Sequence, residues 1–211
     1  MRARDVPAHH PLPPGGRAGE TQVAGRSRGE SRAQFFLGMM YSDGKGVPKD
    51  DAEAVKWFRK AAEQGVGGAQ FFLGLRYVNG NGVPEDNIEA AKWWSKAAEQ
   101  GLAIAQARLG LMYAKGVGVP KDSMEAVKWF RKAAEQSNTD GQSSLGNMYY
   151  NGEGVPKDLV QAHIWWNIAG AKGDEDAKKN LGIVEEQMTS EQKAEAMKLA
   201  RELFAKLPKG K

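Results

Sequence analysis

Three histidines, His9, His10 and His163, are the residues of this 211-residue chain best suited to proton transfer or metal binding. Two adjacent imidazoles, as at His9 and His10, can hold a metal weakly, but nothing nearby completes a site. His163 stands 36, 72 and 108 residues after Val127, Ala91 and Val55, which hold the same place in a repeating pattern. No Ser or Asp partner is marked for it, so it reads as a packed or half-exposed helix histidine and not as a catalytic base. Cysteine is absent, which excludes disulfides, thiolate nucleophiles and Cys-ligated zinc or iron–sulfur sites, and leaves the redox compartment open. Glycine-rich stretches such as Gly80-Asn81-Gly82-Val83-Pro84 precede helix starts, and in outline their N–H groups could cradle a phosphate. Each is followed by an aspartate (Asp50, Asp86, Asp122 or Asp158) whose carboxylate repels phosphate, and the lysine-bearing phosphate-loop pattern is missing. Glu53 and Glu89 stand three residues before Lys56 and Lys92, which is surface pairing on a helix rather than acid/base chemistry. No nucleophile–base arrangement emerges. No catalytic residue, cofactor or metal is assigned, and the chain is expected not to be an enzyme.

The elements that carry these residues recur every 36 positions. Leu37, Leu73, Leu109 and Leu145 align, as do Gly38, Gly74, Gly110 and Gly146, then Tyr41, Tyr77, Tyr113 and Tyr149. The loop glycines Gly44, Gly80, Gly116 and Gly152 and the tryptophans Trp57, Trp93, Trp129 and Trp165 keep the same register. A period of this length marks a solenoid, whose units bury their apolar faces only by stacking. Within a unit, Ala69, Leu73, Gly74 and Tyr77 lie on one face of a first helix, where Gly74 lets a neighbouring helix approach closely. Its mid-helix cost of about 1 kcal/mol relative to Ala is recovered by that packing. Paired loop glycines permit positive φ, and Pro84 prevents the helix from resuming. Asp86 with Glu89, and likewise Asp50 with Glu53, Asp122 with Glu125 and Asp158 with Gln161, then form capping boxes that start a second helix. That helix buries Ala90, Trp93, Ala97 and Ala98 and ends at Gly101.

The combined pattern A-x-x-x-L-G-x-x-Y, G-x-G-V-P-x-D, A-x-x-W and A-A-x-x-G resembles the Sel-one-like repeat (SLR), a relative of the tetratricopeptide repeat. It covers four near-complete units from Ala33 to about Asp176 and extends more loosely to Leu207. The resemblance implies an all-α solenoid of antiparallel helix pairs, a right-handed α/α superhelix that acts as a scaffold for protein partners without identifying them. A cysteine-rich secreted branch of that family includes members reported to bind penicillin and weakly hydrolyse β-lactams. A secreted or periplasmic β-lactam-binding or hydrolysing protein is therefore the alternative function, although this chain lacks the cysteines that define the branch.

The chain divides into a Pro/Arg-rich tail over 1–32, repeats at 33–68, 69–104, 105–140 and 141–176, and a degenerate repeat with a capping helix over 177–207. The tail holds four of the nine prolines, and all six of its cations are Arg, a composition that predicts disorder. It lacks the apolar core of a secretory signal, which leaves a cytoplasmic location by default, or a periplasmic or secreted one if the true start lies upstream. Its six Arg stand against three acids, whereas the rest of the chain has 24 cations against 23 acids. The repeats thus carry no basic stripe and no nucleic-acid partner is expected. No apolar run approaches membrane-spanning length. At the C-terminus Thr189 and Gln192 form a capping box, and Ala194, Met197, Ala200, Phe204 and Leu207 make one apolar stripe.

Residues that vary between units while keeping one face are the candidates for a partner-binding groove. Phe35, Met39 and Ser42 form a stripe roughly 160° around the first helix from Leu37 and Tyr41 at about 100° per residue. The equivalents are Phe71, Leu75 and Val78, then Ala107, Leu111 and Ala114, then Ser143, Asn147 and Tyr150. By analogy with related helical repeats these face a concave surface, grading from apolar at the N-terminal end to polar at the C-terminal end, with the alternative that some of them pack between first helices. At the N-terminal end Phe35, Phe36, Met39 and Met40 lie on a helix with no predecessor to cover it, which predicts weak homodimerisation through that end.

Overall fold

The computed structural model describes residues 17–208, with side chains from residue 29 onward. His9 and His10 lie outside the described residues. Ten helices follow in order: α1 (Arg17–Asp43), α2 (Asp51–Glu63), α3 (Gly67–Asn79), α4 (Asn87–Glu99), α5 (Ala103–Lys115), α6 (Ser123–Glu135), α7 (Thr139–Asn151), α8 (Leu159–Ala171), α9 (Glu175–Glu185) and α10 (Ser190–Lys206). Each odd-numbered helix from α1 to α7 packs on the even-numbered helix after it, which packs in turn on the next pair. This is the expected all-α solenoid of helix pairs. Of the tail, residues 1–16 lie outside the described residues and residues 17–32 belong to α1. All four tail prolines precede Gly15-Gly16, so no Pro interrupts helix propagation from Arg17 onward.

The loops explain why every unit closes alike. The backbone N–H of each capping aspartate bonds back to the carbonyl of the aligned tyrosine, as in Asp86 to Tyr77 and Asp50 to Tyr41, both at 3.0 Å. The Asp86 side chain accepts from the N–H groups of Ile88 and Glu89, satisfying helix-start donors that otherwise lack partners. The expected capping boxes are therefore only half formed in the repeats. The cap N–H is already engaged by tyrosine, and Glu53, Glu89 and Glu125 pair instead with Lys56, Lys92 and Lys128. The complete reciprocal box forms at Thr189 and Gln192. The second loop glycine stacks units as well as turning the chain. Gly82 has φ +77°, and a Cβ there would lie 2.2 Å from the Asp51 carbonyl oxygen at the start of α2, so both conformation and contact require glycine. Gly118 and Gly154 sit likewise against Asn87 and Ser123, whereas Gly46, in the first unit, meets only the end of Met40.

The mid-helix glycines make room for rings rather than for helix backbones. A Cβ on Gly38, Gly74, Gly110 or Gly146 would lie 2.5 to 2.8 Å from Phe58, Trp94, Phe130 or Trp166. These aromatics, one residue after the aligned tryptophans, fill the space between the two helices of a unit and are buried. Trp93, Trp129 and Trp165 are buried as expected, and Trp57 is half-buried. Lys60, Lys96 and Lys132 lie over the rings of Trp57, Trp93 and Trp129 at 4.2 to 4.3 Å, covering them with an alkyl stem and a cation. A second periodic device is a glutamine ladder. Gln70, Gln106 and Gln142 are buried, and each donates from Nε2 to the carbonyl of Ala62, Ala98 or Ala134 at 3.1 Å, pinning one unit's second helix to the next unit's first.

The C-terminal unit departs from the pattern. Its connection between helices is four residues, 186–189, against seven for 44–50, and α10 lies on α8 instead of pairing with α9. The expected stripe is correspondingly rotated. Ala196, Leu199, Ala200, Leu203 and Leu207 face inward, whereas Ala194, Met197 and Phe204 are exposed, Phe204 at 48%. Ser137, which takes the positive φ that Gly65, Gly101 and Gly173 supply elsewhere, donates from its hydroxyl to the Pro208 carbonyl at 2.6 Å and ties the segment after α10 to the turn between α6 and α7. At the opposite end Phe36 is 62% exposed and Met40 is exposed, although the aligned Met112 and Met148 are buried by a preceding second helix. Among the described residues no helix is long and apolar enough to cross a membrane.

Candidate partner-binding groove

Consecutive first helices approach one another, α5 against α7 and α7 against α9. Side chains bridge α1 to α3, α5 to α7, and α7 to α9 and the turn after it. Arg76 donates to Ser42, Arg108 lies 3.6 Å from Asp140, Asn180 donates to Asn147 at 3.3 Å, and Gln187 donates to Tyr150 Oη at 2.7 Å. Among the described residues no such bridge joins α2 to α4, α4 to α6 or α6 to α8, so side-chain bridges between like helices lie on the first-helix side.

The candidate residues divide along this side. Phe35 and Met39 are half-buried against the core, with the Phe35 ring within 6.0 Å of the rings of Phe36, Phe58 and Phe72. Phe71 is buried, its ring stacked on Trp94 at 6.1 Å while its carbonyl accepts from Trp94 Nε1 at 3.0 Å. These three fill the gap between α1, α3 and their partners, because the rings of Phe35, Phe58, Phe71, Phe72 and Trp94 close the N-terminal end of the groove. Leu75, Val78 and Leu111 instead line a surface cavity of about 370 Å³ floored by Trp94 and Met112 and edged by Arg108 and Lys115. Leu111 and Arg108 continue into a second cavity of about 330 Å³ with Ala107, Ser143, Ser144, Asp140 and Asp174. Asn147 and Tyr150 line a third, of about 270 Å³, with Asn180, Ile183 and Trp166. Ala114 packs toward the core. The first cavity is mostly apolar and the second mostly polar.

Arg108, Lys115, Trp94 and Trp166 are groove residues that lie outside the stripe pattern. The two tryptophans carry a readable signal: they share a column with Phe58 and Phe130, directly after the invariant tryptophan, and differ from those phenylalanines by an indole N–H. Trp166 uses it to donate to the Ser143 carbonyl at 3.2 Å and to Asn147 Oδ1 at 3.1 Å. Asn147 is thereby held in place at the groove surface.

One interior pairing is also invisible to the repeat pattern. His163 on α8 is fully buried, and its Nε2 lies 3.1 Å from Glu185 Oε1 on α9, while Nδ1 has no partner among the described residues. The histidine is packed, one of the two placements its position allows, and its partner stands in the tyrosine column. Their separation of 22 residues is that of Val55 from Tyr77 and of Val127 from Tyr149, so two separate departures from the repeat meet at one interface. His163 lines none of the groove cavities, and its accessible geometry offers no bound substrate a base.

Comparison with known proteins gives the same units. The Sel1 repeat model matches residues 31–66, 68–102, 103–138 and 139–174, each boundary about two residues earlier than the repeat phase read from the sequence. No curated protein matches the chain. Among solved structures it is similar to the c5321 protective antigen of uropathogenic Escherichia coli, which displays an SLR fold (46% identity, TM-score 0.72). That match covers 78% of this chain and 35% of the antigen, so the chain spans about a third of that protein's length. A Sel1 repeat protein from Oxalobacter formigenes is 37% identical with a TM-score of 0.70, over 78% of this chain and 68% of that one. Cysteine-rich protein B of Helicobacter pylori is 30% identical with a TM-score of 0.50, over 65% of this chain and 99% of its own. With four matched units running through most of the chain, and helix pairs stacked as the repeat requires, the protein belongs to the Sel1 repeat family, whose members generally serve as scaffolds for protein partners.

Proposed function

We propose that this protein is a non-enzymatic scaffold that binds an extended peptide or protein segment along the groove formed by α3, α5, α7 and α9. The observation that carries this reading is the row of three cavities on one side of the array, the first two sharing Arg108 and Leu111. Shallow, adjoining pockets that alternate apolar and polar walls suit successive side chains of an extended chain better than a single small molecule. The contrast with a β-lactam-hydrolysing reading rests on His163, which is buried against Glu185 and away from the groove. Affinity capture from host lysate tests the scaffold reading when wild type is compared with Leu111→Glu. Partners retained by wild type and lost by the folded variant support it, and an identical set of captured proteins from both overturns it. Turnover of a chromogenic β-lactam by the pure protein, abolished by a point substitution, would instead establish the enzymatic alternative.

A further inference from the structure

The cavity between α3 and α5 has walls of Leu75, Val78, Trp94 and Leu111, and every charged side chain lining it is cationic. The Lys115 side chain makes no hydrogen bond or ion pair among the described residues, and that of Arg108 has only the loose 3.6 Å contact with the exposed Asp140. The Asn79 side chain, on the same rim, is also without a hydrogen-bond partner among the described residues and presents an amide that can pair with a peptide backbone. Several cations elsewhere on the array do have a carboxylate partner. Arg76, one period before Met112, is bound to Asp51 at 2.7 Å, and Lys56, Lys92 and Lys128 are each paired with a glutamate. The next cavity reverses sign, adding Asp140 and Asp174 beside Ser143 and Ser144. A bound segment therefore meets apolar surface and positive charge together at α3–α5, then negative charge toward α7–α9.

Resting on the scaffold reading above, we infer that the partner is an extended acidic peptide segment that places a bulky apolar side chain in the α3–α5 cavity with an Asp or Glu beside it, against Arg108 and Lys115. The apolar side chain supplies burial on Trp94 and Leu111, and the carboxylate supplies orientation and selects against basic segments, which the two cations repel. The charge is confined to this end of the groove, because a carboxylate carried on to the second cavity would face Asp140 and Asp174.

The test uses three pools of fluorescein-labelled Gly/Ser-based peptides, each with a central Leu or Phe, flanked by Asp/Glu, by Lys/Arg or by Ser/Gly. Their binding to the full chain is measured by fluorescence anisotropy at low and at physiological salt. The acidic pool is expected to bind about tenfold more tightly than the basic one, the scale of one close interfacial charge pair. Arg108→Glu combined with Lys115→Glu should reverse that preference, and Leu111→Asn should weaken all pools alike, with circular dichroism confirming that each variant is folded. Equal or stronger binding of the basic or neutral pool, or charge reversal without effect on preference, overturns the inference and leaves the scaffold reading standing. Failure of every pool to bind also overturns it, and the groove-dependent lysate capture then decides separately whether the scaffold reading survives.

Discussion

Gly146 and Gly182 occupy the same column of the repeat, yet replacing each by alanine should move stability in opposite directions. Both lie inside helices, where the exchange favours alanine by about 1 kcal/mol. A Cβ at Gly146 would stand 2.6 Å from Cδ1 and Nε1 of Trp166, a ring that is 2% exposed and anchored by bonds to Ser143 and Asn147. Making room costs about 1 to 3 kcal/mol for overpacking, and about 1 kcal/mol more for each anchoring bond that the ring surrenders. After the propensity gain, Gly146→Ala should destabilise by about 1 to 3 kcal/mol. At Gly182 a Cβ meets nothing within 4 Å, because α10 has left α9 to pack on α8 and no ring faces this site. Gly182→Ala should therefore stabilise by up to about 1 kcal/mol. Guanidinium unfolding followed by far-ultraviolet circular dichroism, with tryptophan fluorescence reporting on Trp166, measures both. A Gly146→Ala variant as stable as wild type, or a Gly182→Ala variant that loses as much as Gly146→Ala, would refute the claim that a ring in the gap is what excludes the methyl group.

Three further outcomes follow from the same packing. Glu185→Ala removes the hydrogen-bond partner of fully buried His163 and should cost about 1 to 3 kcal/mol, whereas His163→Val with Glu185→Tyr restores the residue pair found between the first and second units and between the third and fourth and should be neutral or stabilising; denaturant midpoints of the singles and the double give the coupling, and additive losses would sink the pairing. Trp93→Ala deletes a buried aromatic and should cost about 3 to 5 kcal/mol, read as a lowered midpoint with loss of helicity in the neighbouring units. Phe36 and Met40 should drive weak self-association through the N-terminal end at micromolar or higher concentration; sedimentation velocity should show Phe36→Glu to be more monomeric than wild type, and a wild-type monomer at every concentration would remove the dimer.

Features encoded within about a dozen residues are legible in the amino-acid sequence alone. The helix pairs, the Gly-x-Gly-Val-Pro turns, the aspartate caps and the buried Ala and Trp positions all follow from local spacing. Repetition in four copies then turns each spacing into a stacking rule. The groove is legible as a stripe, since first helices share one orientation, and Leu75, Val78, Leu111, Asn147 and Tyr150 do line its cavities. Tertiary structure decides what lies across each gap. Phe35 and Phe71 have the same periodicity as Leu75 and Leu111, but large neighbouring rings consume their faces. Helical period alone cannot distinguish a side chain facing solvent from one facing another helix's side chain. The C-terminal stripe goes astray for the same reason: Met197 and Phe204 fit an apolar face as well as Leu199 and Leu203, and only the docking of α10 on α8 chooses between them. His163 and Glu185, separately visible as departures from the repeat, become a pair only when stacking brings positions 22 residues apart into contact, because the energy of that contact resides in neither helix alone.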